Sequence, residues 1–92
     1  MSMKSCTLRN VRSLDDVYDA LVAQLDLPAH FGRNLDALYD SLGADVEGPL
    51  EIVWHDAHAS RPHLGSDVYT ALLEILQTVA EERGDMTLDI YH

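Results

Sequence analysis

Basic residues are scarce in this chain of 92 residues, which has six Lys and Arg against sixteen Asp and Glu and a formal net charge of −10. Proteins that grip phosphate, in nucleic acid or on an anionic membrane, need clustered Lys and Arg. The composition therefore disfavours both of these partners. An acidic chain attracts a basic protein instead, although acidity alone also serves solubility.

Cysteine and long apolar runs are also scarce. Cys6 is the only cysteine, so no internal disulfide can form, and a reducing cytoplasm is the expected compartment. No run approaches the roughly 20 apolar residues that span a bilayer, and MSMKSCTLRN lacks the apolar region of a secretory signal. Hydrophobic residues nevertheless make up 47% of the chain, so we expect one globular domain over residues 1–92.

The spacing of apolar residues predicts strands over 4–11, 50–54 and 86–91. It predicts an amphipathic helix over 14–25 with Ser13 as N-cap, and a short helix over 35–42 with Asn34 as N-cap and Gly43 as the stop. A long helix over 67–83 has Ser66 as its predicted cap and Gly84 after its end. Residues 55–65 are expected to form an irregular loop that can hold one short helical turn, so the element at this place is a loop or a short helix.

The order of these elements indicates an α/β fold. Strands that are separated by helices run parallel if the connections cover the sheet, so we predict a three-stranded parallel sheet packed by helices. Strand 50–54 is apolar on nearly every residue, which favours a sheet that is covered on both faces.

The sequence disfavours two kinds of site, a zinc site and a hydrolase active site. His55, His58 and His63 could form a zinc site, but their spacing matches no common ligand pattern, and a polar loop is the simpler interpretation. A hydrolase could use His30, Asp36 and a serine, but the nucleophile-elbow and glycine-rich phosphate motifs are absent from the sequence. We expect neither catalysis nor a metal or other cofactor.

The short helix over 35–42 has an unusual charge pattern. Asp36 and Asp40 lie one turn apart, where like charges repel by about 0.2–0.5 kcal/mol. Asp36 is favourable near a helix N-terminus, but Asp40 lies near the C-terminus, where the helix dipole is already negative. Leu35, Leu38 and Leu42 form the apolar stripe, which leaves both acids, Tyr39 and Gly43 away from it. From the pattern alone, a partner surface and a solvated surface are equally good interpretations.

The stretch LPAHFGRNLDALYDSL, residues 27–42, resembles the barstar family, intracellular inhibitors of barnase-type ribonucleases. The resemblance extends through VEGPLEIVW at 46–54 to the ending GDMTLDIYH. It implies three parallel strands packed by helices, and it implies that the second helix and the preceding loop, residues 30–45, block a ribonuclease active site.

The resemblance also assigns roles to residues. Asp40 corresponds to the dominant acid, which meets the phosphate-binding arginines and catalytic histidine of the nuclease. Asp36 corresponds to a second acid that faces an arginine, and Tyr39 to an aromatic residue, usually tryptophan. The other implied contact positions are His30, Phe31, Gly32, Asn34, Gly43 and Ala44.

This chain departs from the family pattern at several of these positions. His30 and Asp45 stand where the family has aromatic residues. The family also has a glutamate on its long helix that contacts the nuclease. The resemblance does not assign this glutamate to one residue between Leu72 and Gly84.

The functional hypothesis is therefore an inhibitor that binds a basic microbial ribonuclease one-to-one and mimics RNA phosphate with its carboxylates. The alternative is an acidic adaptor module that binds a basic partner other than a nuclease.

Overall fold

Seven elements make up the computed structural model, which describes residues 3–28 and 31–92. They are β1 (Lys4–Leu8), α1 (Leu14–Leu25), α2 (Leu35–Ala44), β2 (Leu50–Trp54), α3 (Ala57–Leu64), α4 (Ser66–Arg83) and β3 (Met86–Ile90). The predicted α/β class and the order of strands and helices are confirmed.

The three strands form one parallel sheet in the order β1-β2-β3. Lys4 pairs with Leu50, which pairs with Met86, so the strands begin in register. Parallel neighbours need crossover connections. Helices α1 and α2 supply the first crossover and α3 and α4 the second, which brings α2 against α4.

Burial alternates along the strands, and this corrects the expectation of a sheet covered on both faces. Cys6, Ile52 and Trp54 are fully buried, whereas Thr7 and Val53 on the opposite face are only half-buried. One face therefore carries the core, and the other, called here the open face, is only partly covered. Burial raises the pKa of the Cys6 thiol to about 12, so this cysteine belongs to the core and is not a reactive site.

Helix ends agree with the predictions in part. Ser13 caps α1 by accepting a hydrogen bond from the Asp16 amide, and Gly84 ends α4 in a left-handed conformation with φ 74°, as predicted. Strand β1 is shorter than predicted and ends at Leu8. The prediction of Ser66 as N-cap is wrong, because Ser66 lies inside α4 and Gly65 precedes it without a side-chain cap.

A further prediction about helices is wrong. Gly43 does not stop α2, which continues to Ala44 because the Asp45 amide still bonds the Ser41 carbonyl. Of the two alternatives for residues 55–65, a loop or a short helix, the structure has the short helix α3, which is eight residues long. Tertiary contacts fix α3, since Ala57 is buried and its amide bonds the Tyr91 carbonyl of the chain after β3.

Candidate partner-binding surface on helix α2

Helix α2 is oriented by its apolar stripe. Leu38 and Leu42 are fully buried against the core, so residues on the other side of the helix face outward. The Asn34 side chain accepts a hydrogen bond of 2.8 Å from the Ala37 amide and fixes the start of the helix. The sequence predicted this stripe and this cap, and both are confirmed.

Asp36 and Asp40 are exposed on the outer side of α2. Across residues 3–28 and 31–92, neither carboxylate accepts a hydrogen bond or forms an ion pair. Their positions in the helix place their Cβ atoms about 5–6 Å apart. Two adjacent negative charges are thus displayed to solvent with no counterion from the described part of the chain.

A different cavity borders each acid. Asp36 borders a cleft of about 630 Å³ between the starts of α1 and α2, called here the N-terminal cleft. Its lining residues are Ser13, Leu14, Asp15, Tyr18, Arg33, Asn34, Leu35 and Asp36. Asp40 borders a groove of about 360 Å³ between α2 and α4, called here the α2–α4 groove. Its lining residues are Tyr39, Asp40, Gly43, Ala44, Val79, Glu82 and Arg83.

Tyr39 lies half-buried between α2 and α4. Its hydroxyl donates to the carboxylate of Glu82, with both oxygens 2.5 Å away. The hydrogen bond to Glu82 is the main reason that the pKa of Tyr39 is raised, so the hydroxyl stays protonated. This contact fixes the ring and adds an exposed carboxylate from α4 to the acidic surface. No local pattern in the sequence singles out Glu82, which lies 43 residues from Tyr39.

Arg83 closes the C-terminal end of α2. Its Nη1 donates to the carbonyls of Leu42 and Val46 at 2.7 and 2.8 Å, and its Nε and Nη2 donate to the Asp85 carboxylate at 2.8 and 3.1 Å. The last carbonyls of a helix have no partner inside the helix, so Arg83 supplies one. A Cβ at Gly48 would lie 1.7 Å from Asp85 Oδ2, so only glycine leaves room for this arrangement.

The loop before α2 is packed on α1. The Phe31 ring is 9% exposed and meets the Tyr18 ring edge-on, with 5.5 Å between centroids. Its side chain is therefore placed to support the loop and offers little surface to a partner. A Cβ at Gly32 would come within 3.2 Å of the Asn34 amide nitrogen, so glycine allows the loop to lie close to the cap. His30 lies outside the described residues.

Gly43 and Ala44 are exposed in the last turn of α2 and line the α2–α4 groove. Apart from the adjoining residues and the backbone of α2 itself, no heavy atom of the described residues lies within 4 Å of the place where a Cβ would stand on Gly43. This end of the groove is therefore open to an incoming side chain.

Histidines elsewhere in the described chain do not form a metal centre. No group of three His, Cys, Asp or Glu side chains within residues 3–28 and 31–92 could hold a metal ion. His55 stacks on Tyr91 instead, with ring centroids 5.1 Å apart, while His58 and His63 are exposed on α3. None of the helices in the described ranges is long and apolar enough to cross a membrane.

Comparisons with known proteins agree on one family. The family model described as "Barstar (barnase inhibitor)" matches residues 1–91. The chain is also similar to the "Putative ribonuclease inhibitor YrdF" of Bacillus subtilis (strain 168), with 38% identity over 77 residues that make up 84% of each chain. The family model spans the sheet, α2 and α4, so the chain belongs to the barstar family.

Proposed function

We propose that this protein inhibits a basic microbial ribonuclease of the barnase type, in a one-to-one complex. The outer side of α2 and the preceding loop, residues 30–45, cover the active site of the enzyme. Inhibition is blockage of the cleft, and this chain performs no chemistry. The observation that carries the proposal is the exposed pair Asp36 and Asp40, which has no counterion within the described residues.

Carboxylates suit this task because a ribonuclease cleft is built to hold phosphate. Arg, Lys and His in such a cleft stabilise negative charge, and a carboxylate accepts charge-assisted and bidentate hydrogen bonds from arginine. Asp36 and Asp40 border different cavities, so each can receive a separate cationic side chain. The two acids thereby take the place of RNA phosphate at two points.

The α2–α4 groove fits the shape of a long basic side chain. Val79 and Ala44 provide apolar surface, and Asp40 and Glu82 provide negative charge in the same groove. Arginine and lysine bury an apolar stem while their charged end stays paired, so both parts of such a side chain find partners. Tyr39, held by Glu82, adds rigid aromatic area at the edge of the contact.

The proposal takes its contact positions from the family resemblance and adds Glu82 from the structure. Asp36, Asp40, Tyr39 and Glu82 contribute side chains, and Gly32, Asn34, Gly43 and Ala44 contribute close approach of the backbone. Phe31 supports the loop, and His30 stays a proposed contact from the resemblance alone. A cytoplasmic location, expected from the lone cysteine, is part of the proposal as well.

Net charge adds to the rate of association. A charge of −10 steers a basic enzyme toward the protein and can raise association from about 10⁵–10⁶ toward 10⁸–10⁹ M⁻¹s⁻¹ at low salt. Because salt screens this attraction, the association rate should fall as ionic strength rises.

The test is an RNA-cleavage assay in which barnase and other basic microbial ribonucleases are titrated with this protein. We expect at least one enzyme to lose its activity near an equimolar ratio. The double variant Asp36→Asn/Asp40→Asn should lose this inhibition. The variant Asp67→Asn/Glu74→Gln has the same net charge and changes two exposed acids on α4 that line neither cavity, so it should retain it.

Absence of inhibition across the panel would overturn the proposal and favour the acidic adaptor. Equal loss of inhibition in the two double variants would show that overall charge matters and the positions on α2 do not.

A further inference from the structure

Arg33 lies immediately before the cap of α2, yet its side chain is held by α1. Its Nη2 lies 2.8 Å from Asp19 Oδ1 and 3.4 Å from Asp15 Oδ1, and its guanidinium carbon lies 5.5 Å from the centre of the Tyr18 ring. Asp15, Tyr18 and Asp19 are spaced i, i+3 and i+4, so they share one face of α1. This face, called here the α1 cradle, holds the guanidinium by charge on two sides and by an aromatic ring.

Asp36 is the acid of α2 that lies nearest to Arg33 along the chain. Arg33 and Asp36 are three residues apart and line the same N-terminal cleft. An arginine paired with Asp36 would cancel the charge that the proposed function offers to a nuclease. Within residues 3–28 and 31–92, the hydrogen bonds of the Arg33 side chain go to α1, and the one to Asp19 is the main cause of the raised pKa of Arg33.

The other end of α2 repeats this arrangement. Arg83 lines the α2–α4 groove together with Asp40, but its donors go to Asp85 and to the carbonyls of Leu42 and Val46. Each cavity beside α2 thus contains one arginine, and each arginine is occupied by groups other than the acids of α2.

We propose that Asp15 and Asp19 are positioning residues, which hold Arg33 on α1 and so keep Asp36 free for the cations of a partner. This inference rests on the proposed function and adds to it a role for two residues of α1.

The α1 cradle needs several members because each contact is weak. The side chains of Arg33, Asp15 and Asp19 are 40%, 79% and 71% exposed, and exposed ion pairs contribute little individually. A single carboxylate on α1 would compete with Asp36 on nearly equal terms. Two carboxylates and the ring together favour the position on α1.

The experiment compares inhibition of barnase by variants of the whole chain. Asp15→Asn/Asp19→Asn should weaken inhibition about two- to fivefold, as the gain of one surface ion pair by Asp36 implies. Adding Arg33→Gln should restore inhibition, because no cation is then left to cover Asp36. Adding Arg61→Gln instead gives the same net charge but changes an exposed arginine on α3 that borders neither cavity, so it should not restore inhibition.

Arg33→Gln alone separates this role from a structural one. If Arg33 merely anchors the loop to α1, this variant should weaken inhibition, and the triple variant should be no better than the double variant. Either result would overturn the inference. If Asp15 and Asp19 guard Asp36, Arg33→Gln alone should inhibit as well as the unchanged protein or better.

A second measurement needs no nuclease. The ¹³C chemical shift of the Asp36 carboxyl carbon should move in Asp15→Asn/Asp19→Asn and return when Arg33→Gln is added. A shift that behaves this way in a protein without inhibitory activity would refute the proposed function alone. Unchanged shifts in a protein that inhibits barnase would refute the inference alone.

Discussion

Helices α1 and α2 both carry exposed aspartates, but the two sets are used differently. On α1, Asp16 accepts a hydrogen bond of 2.9 Å from the Arg12 amide, and Asp15 and Asp19 bind Arg33. On α2, Asp36 and Asp40 bind nothing within residues 3–28 and 31–92. Side chains of one type, at similar exposure, therefore divide into a set that the fold uses and a set that it leaves open.

This difference identifies the candidate surface better than charge does. A protein with sixteen acidic residues presents carboxylates in many places, so exposure alone singles out none of them. The acids of α2 stand out because they have no counterion within residues 3–28 and 31–92, although each shares a cavity with an arginine, Arg33 or Arg83, that is bonded elsewhere. The family assignment then supplies the class of partner for which they are suited.

The largest expected effect is a loss of inhibition when the α2 acids themselves are substituted. Asp40→Asn should weaken barnase inhibition by about 2 kcal/mol or more, and by more than Asp36→Asn does. This magnitude is typical of losing one partner of a buried charge pair, and barnase–barstar complexes are among the examples on which it is based. Inhibition constants from the RNA-cleavage assay measure this. Glu74→Gln removes one exposed charge from α4 and should have little effect. Equal losses for all three variants would erase the distinction between α2 and the rest of the surface.

Substitution of Arg83 removes a charge that the fold does use. Its side chain is 10% exposed, and Arg83→Met would leave the carbonyls of Leu42 and Val46 without their donor. The free energy of unfolding should fall by about 1–3 kcal/mol, as measured by urea denaturation. Arg61→Met on α3 is the control and should change it by no more than about 0.5 kcal/mol. A stable Arg83→Met protein would show that the end of α2 does not depend on this contact.

Removal of the helix caps should have a smaller effect on stability, and it compares α1 with α2 directly. Ser13→Ala in α1 and Asn34→Ala in α2 each remove one cap hydrogen bond, so each should cost about 1 kcal/mol of stability. Thermal unfolding measures this loss. Only Asn34→Ala should also weaken inhibition, because Asn34 fixes the turn that presents Asp36. Equal inhibition by the two variants would argue against α2 as the binding element.

The smallest expected effect concerns Asp85, a carboxylate with a partner. Its pKa is lowered, chiefly by the hydrogen bond from Arg83, so its contribution to stability is present above its unfolded pKa of about 3.8. That contribution is lost as the pH falls through the lower pKa of the folded state. Urea denaturation between pH 7 and pH 2 should therefore show a difference between the unchanged protein and Asp85→Asn that shrinks below about pH 4. A difference that grows as the pH falls would contradict the ion pair.

Local rules predicted the parts of the fold that depend on nearby residues. The start of α1 follows from Ser13, the stripe of α2 from Leu38 and Leu42, and the parallel sheet from helices between all strands. The sequence left a loop and a short helix open for α3, because distant contacts fix this helix, such as the bond from the Ala57 amide to the Tyr91 carbonyl. The open face of the sheet was missed because Val53 is apolar, yet it lies on that face and is only half-buried.

The candidate surface also has a part that the sequence predicts and a part that only the tertiary structure shows. The pattern of α2 was enough to single out Asp36, Tyr39 and Asp40. Glu82 and Arg83 reach α2 only through the packing of α4, across 43 and 41 residues of sequence. No periodic pattern within one element marks such contacts, so only the tertiary structure reveals them.

The structure of this protein bound to barnase tests the central claim most directly. The account predicts that the outer side of α2 lies in the enzyme cleft, with the carboxylates of Asp36 and Asp40 each within about 4 Å of a basic nitrogen of barnase. A complex in which barnase binds the open face of the sheet, with both carboxylates still in solvent, would contradict it.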